Sequence, residues 1–239
     1  MFGVNKFTLL LLTIVLSGNL NASSIKVLTY SVAPFASQVD GQKQGYLIEL
    51  VDALFKQANI PYEVNFLPLK RAMVMATQHT NMCVLPVQRS QEIESHFSWI
   101  SPVMISRYGL FSRSDKTIPI QVLDDAKLMT IGSYLGSGIS EYLRGFDYRI
   151  EYTSHNVLSL KQLERGYIDL WAAELMTAKN VMQSMNIKLG EPELIFYTAI
   201  GAMACHPDMS KTQQKALKLA LKQLHQTGFI DMLNSKYGM

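Results

Sequence analysis

Short apolar runs alternate along the chain with longer segments whose apolar residues recur every three or four positions. Residues 25–30 read as a first strand, and Asp40-Gly41 marks a turn. After Gly45, the positions Leu47, Ile48, Val51, Leu54, Phe55 and Ala58 keep helical spacing until Asn59-Ile60-Pro61 breaks it. Residues 62–66 alternate as a second strand, Pro68 opens a short helix, and residues 82–87 form a strand apolar enough to be buried. Residues 106–112 read as a strand leaving this unit. A second series follows: a short helix from 124, a strand at 129–132, and the small-residue loop Gly136-Ser137-Gly138 before a helix at 139–143. A strand at 149–152 precedes a helix at 157–165, which Gly166 stops in the position of a left-handed cap. Strand 168–172 and helix 177–185 complete the series. Residues 194–204 are long and apolar, suited to a return crossing. Ser210 to Gln213 matches a capping box ahead of the stripe Leu217, Leu221 and Leu224, Gly228 ends that helix, and Phe229, Ile230 and Leu233 begin a last one.

This order predicts an α/β protein of two lobes, the second inserted into the first, with a ligand cleft between them. The expected division is a leader at 1–22, lobe one at 23–110 and 199–239, and lobe two at 111–198. Two crossings, near 106–114 and 192–201, would serve as hinges. The leader is expected because Lys6 precedes an apolar run, residues 7–16, too short to span a bilayer. Small and polar residues follow, with cleavage after Ala22 and Leu20 a fair fit at the third position before it. No cysteine lies nearby to carry a lipid. The mature chain is therefore expected to be exported to the periplasm as a monomer.

Charge narrows the partners. The formal charge of +3 falls to +2 without residues 1–22, which contain Lys6 and no acid. Such a weak balance, with no basic stripe bearing aromatics, argues against nucleic acid. Cys83 and Cys205 either pair in an oxidising compartment or lie buried apart as thiols. Neither has the His and Cys neighbours of a zinc site, and no metal or cofactor is expected. His79, His96, His155, His206 and His225 are scattered, and no Ser/His/Asp arrangement or phosphate loop is present.

Arg89 is the first strong charge after the buried strand at 82–87, where the chain surfaces beside Phe97-Ser98-Trp99. A guanidinium there suits a planar carboxylate, gripped by two parallel hydrogen bonds. It equally suits a surface ion pair with Glu92 or Glu94.

Several motifs resemble, in order and spacing, the bacterial family 3 periplasmic solute-binding proteins. These are Ala33-Pro34-Phe35, Gly45-Tyr46-Leu47-Ile48-Glu49-Leu50, Pro68-Leu69-Lys70-Arg71-Ala72, Arg89-Ser90-Gln91-Glu92 and Gly166-Tyr167-Ile168-Asp169. The resemblance spans the mature chain and implies a type II periplasmic-binding-protein fold that closes over a small ligand. It implies an aromatic platform, for which Tyr30 and Phe35 are candidates, with ordinary core packing the other reading. Ser137 and Gly138 fall where such proteins bind an anionic group through backbone N–H groups at a helix start; a plain turn is the other reading. Glu174 falls where amino-acid binders hold an ammonium, or is a solvated helix-start acid. The family's usual Thr-x-x-Arg reads Ser90-Gln91-Glu92-Ile93 here, so Ile93 stands where a carboxylate-binding arginine is expected. Arg89 or Arg71 would have to supply that charge. The implied function is capture of a small, amino-acid-like solute for an inner-membrane ABC permease. A sensor subunit for a membrane receptor and a dehydratase-like enzyme are the alternatives.

Overall fold

Strands covered on both faces carry apolar residues at successive positions rather than alternate ones. This chain shows the rule in β1 (Ile25–Thr29) and β5 (Met82–Gln88), which run parallel to each other, with the edge strand β4 (Tyr62–Phe66) parallel to β1 on its other side. Alternation sends Val27 to one face, against Leu47, Leu54 and Phe55 of α1 (Tyr46–Ala58). Leu28 goes to the other, against Ala72 and Ala76 of α2 (Leu69–Gln78). The computed structural model describes residues 24–135 and 137–238. The leader expected at 1–22 lies outside them, and no described helix is long and apolar enough to cross a membrane.

The two crossings are long strands, β6 (Ser98–Phe111) and β10 (Leu194–Cys205), paired antiparallel from Leu194↔Leu110 to Cys205↔Ser98. One end of β10 pairs with β5; the opposite end of β6 pairs with β9 (Leu170–Glu174). With β7 (Thr130–Tyr134) and β8 (Arg149–Thr153), the sheet order is β4-β1-β5-β10-β6-β9-β7-β8. A single twisted sheet thus runs through both lobes. The second lobe packs α3 (Gly138–Gly145) on one face with Leu110, Ile131 and Leu170. On the other face α4 (Asn156–Glu164) and α5 (Leu175–Ser184) cover Phe111 and Trp171. The first lobe is completed by α6 (Lys211–Gln226) and α7 (Phe229–Tyr237). The expected two-lobed α/β arrangement with the second lobe inserted is the one observed.

Several local expectations shift. β6 starts at Ser98 rather than 106, because Trp99, Ile100, Val103 and Met104 bury while a register shift opposite Gly201 and Met203 absorbs Ser101 and Pro102. β9 begins two residues late. Ile168 instead packs over Gly132, and the Asp169 carboxylate accepts the Thr130 N–H at 2.9 Å. Ser210 is the N-cap residue of α6, but its side chain makes no capping bond. β2 (Ser37–Val39) and β3 (Gln42–Gln44) form a small hairpin around the expected Asp40-Gly41 turn.

Cys83 and Cys205, directly opposed on β5 and β10, form a disulfide inside the first lobe's core. It closes a loop of 122 residues, which contains the whole inserted lobe. Replacing both by alanine is expected to lower unfolding free energy by about 2–5 kcal/mol in a denaturant titration under oxidising conditions. An unchanged midpoint would show the bond contributes nothing.

Candidate functional site

In an open α/β sheet, parallel strands end where helices begin, and ligands bind at those carboxyl ends. Here the ends of β1, β5, β7 and β9 converge between the lobes, delivering Tyr30, Gln88, Ser133 with Tyr134, and Glu174. β6 crosses the floor, where alternation presents Ser106 and Tyr108 to the same side while Ile105 and Arg107 face outward. These residues line a cavity of about 240 Å³, below the roughly 300–1,000 Å³ of drug-sized sites. Phe35, Leu69, Met73, Ile93, Met104 and Ala199 make much of its wall apolar.

Glu174 is the charged residue among its described lining. It ends β9 and is the N-cap of α5, accepting the Thr177 N–H at 2.7 Å. The residue is only 9 % exposed, so it is not the solvated helix-start acid that sequence left open. Burial pushes its carboxyl above the usual range, against the pull of the Thr177 and Met176 N–H groups and of Arg107. Tyr108 sits opposite it in the β6–β9 register; burial first, and then the Glu174 charge, raise its phenol. The Tyr30 hydroxyl donates to Pro86 O at 3.4 Å, and burial raises its phenol too. Both tyrosines therefore stay neutral at physiological pH.

Ser137 caps α3: its hydroxyl donates to Tyr134 O at 2.8 Å and accepts the Ser140 N–H at 3.2 Å. Gly138 follows, and a Cβ there would lie 1.9 Å from the Gln88 Oε1. Gln88 thus reaches from the first lobe onto the start of α3, while its Nε2 donates to the Tyr197 hydroxyl. Gln88 Oε1 and Ser133 Oγ are buried without a hydrogen-bond partner among the described residues.

Five of the anticipated residues are brought together: Tyr30, Phe35, Ser137, Gly138 and Glu174 all line the cavity. Arg71 and Arg89 are not. Arg71 is exposed on α2. Arg89 pairs in bidentate fashion with Glu94, Nε to Oε2 at 2.6 Å, and lies 5.6 Å from the Trp99 ring centroid. It borders a separate outer groove with Lys222. The anticipated clamp is replaced by the surface pair that was the other reading, and the cavity carries Ile93 instead. Gln88, Ser106, Tyr108, Ser133 and Thr177 were not singled out from sequence. The available signal was the polar residue at each strand's end, and alternation through the crossing would have found Ser106 and Tyr108.

No protein-family model and no curated protein matches the chain. Solved structures do. A histidine kinase sensor domain with similarity to periplasmic binding proteins aligns with TM-score 0.80 at 16% identity, over 90% of this chain and 95% of its own. The arginine-, lysine-, histidine-binding protein ArtJ from Geobacillus stearothermophilus aligns at 0.76 and 18%, over 90% and 95%. An amino acid ABC transporter substrate-binding protein, AbpA from Streptococcus pneumoniae, aligns at 0.76 and 20%, over 90% and 94%. At these identities the likeness establishes the fold, that of the two-lobed periplasmic binding proteins.

A raised carboxyl pKa means the native state holds the Glu174 proton more tightly than the unfolded chain does. Its favourable contribution is complete below the unfolded value near 4.5 and is lost as pH rises through the folded value. Glu174→Gln, an isostere that still caps α5, is therefore expected to melt higher than the parent at neutral pH, by about 2–4 °C for each kcal/mol relieved. That advantage should shrink towards about pH 4. A difference independent of pH would contradict the buried-charge description.

Proposed function

We propose that the protein is an exported solute-binding protein. It captures a small polar or charged solute, of amino-acid size, by closing its lobes, and delivers it to an inner-membrane ABC importer. One observation carries this reading: a single cavity is lined by Tyr30 and Phe35 from one lobe and by Ser137, Gly138 and Glu174 from the other. A solute held there makes both halves of its contacts only when the lobes are together, so it favours the closed state. β6 and β10, which connect the lobes and carry register shifts, are the hinges. Micromolar affinity needs about 8 kcal/mol, within reach of about ten heavy atoms at under 1 kcal/mol each. Capture requires no covalent chemistry.

Presentation of the closed form to a membrane receptor is the second reading, supported by the fold shared with a histidine kinase sensor domain. Both readings use the same closure. The test is a thermal-shift and X-ray scattering screen against amines, amino acids, organic acids and small peptides. A solute at 100 times its Kd is expected to stabilise by about 2.7 kcal/mol and to reduce the radius of gyration. Melting and scattering curves that ignore every solute, in a preparation that converts one of them to product, would replace capture with catalysis.

A further inference from the structure

We propose that the captured solute is a small organic amine, bearing an ammonium group and no carboxylate. This rests on the solute-binding reading and sharpens it. Across the described lining the one formal charge is the negative charge of Glu174; no lysine, arginine or histidine joins it. The unsatisfied polar atoms that belong to lining residues, Gln88 Oε1 and Ser133 Oγ, can both accept a hydrogen bond. An amide oxygen can do nothing else. An ammonium group, with three donors and no acceptor, is the complement of a carboxylate and two waiting oxygens. Phe35, Tyr30 and Tyr108 add aromatic rings, a side-chain type whose faces attract cations.

A carboxylate meets the opposite surroundings. Ile93, an apolar side chain, lines the cavity, and no arginine joins it among the described lining. Arg107, whose charge reaches Glu174, is itself exposed and outside the cavity lining. Only neutral donors remain to hold an anion: lining hydroxyls such as that of Ser133, and the peptide N–H groups at the start of α3. There the Ser137 hydroxyl is engaged within its own turn, and the Gln88 amide oxygen already lies against Gly138. An incoming carboxylate would face that oxygen and share the cavity with Glu174, and like charges so placed repel strongly. An ordinary α-amino acid brings the ammonium this site suits together with a carboxylate it does not. The volume, about 240 Å³, lies below that of drug-sized sites and restricts the amine to a small one.

Two matched triplets test this by titration calorimetry on the purified protein. They are pentylamine, norleucine and hexanoate, then phenethylamine, phenylalanine and hydrocinnamate. In each triplet the second compound carries both groups and the others carry one. At least one amine is expected to bind about tenfold or more tightly than its amino acid, a difference of about 1.4 kcal/mol, with no detectable binding of the acid. Glu174→Gln is expected to abolish the preference for phenethylamine over phenethyl alcohol, a selectivity that a merely structural role would leave intact. An amino acid binding more tightly than its amine overturns the proposal and leaves solute capture standing. So does lobe closure on a non-amine solute when neither amine binds, or a Glu174→Gln variant that keeps its amine selectivity. If no solute of any class closes the lobes, both readings fall.

Discussion

A carboxylate held out of water in a cavity whose described lining carries no cation is the constraint on which this molecule turns. Glu174 stays in place because the sequence leaves it nowhere else to go. It ends a strand whose preceding residues, Leu170 to Ala173, are all buried, and it starts a helix whose first free N–H groups need an acceptor. Those N–H groups meet part of its demand, yet burial still pushes its carboxyl upward. A fold that keeps such a group in its cleft bears a cost in the free state that a cationic ligand can relieve. With the proposed solute bound there, stability and binding would be linked through one side chain.

The sheet makes that linkage mechanical. Because β6 and β10 pair along nearly their whole length, they belong to both lobes at once. The same strands supply the cavity floor through Ser106, Tyr108, Ala199 and Gly201. In the proposed closure, torsions that bend the pair would move Glu174, on the β9 side, relative to Tyr30 and Phe35 on the β1 side. The disulfide lies on the first-lobe side of this bend, between β5 and β10, so it fastens the base of the insertion without tying one lobe to the other.

Much of the fold was legible because its strands and helices are locally consistent. The apolar run at 82–87, the spacing from Leu47 to Ala58 and the left-handed Gly166 all mean in the structure what they mean in sequence. What failed was facing and long-range register. Arg89 looked like the end of a strand pointing at a ligand, but successive strand residues point to opposite faces. Gln88 is the residue that enters the cavity, and Arg89 turns out to meet Glu94 and Trp99. The Cys83–Cys205 bond was undecidable for a related reason: it depends on a pairing between strands 122 residues apart. The burial of Glu174 depended on a two-residue displacement of β9, set by where Ile168 packs over Gly132.

The most direct measurement is a high-resolution structure of the protein with the solute it retains when purified under native conditions. An amine nitrogen about 3 Å from a Glu174 oxygen, in a molecule touching both lobes, is the expected result. A solute whose carboxylate is gripped at the start of α3, or one that contacts a single lobe, would contradict it.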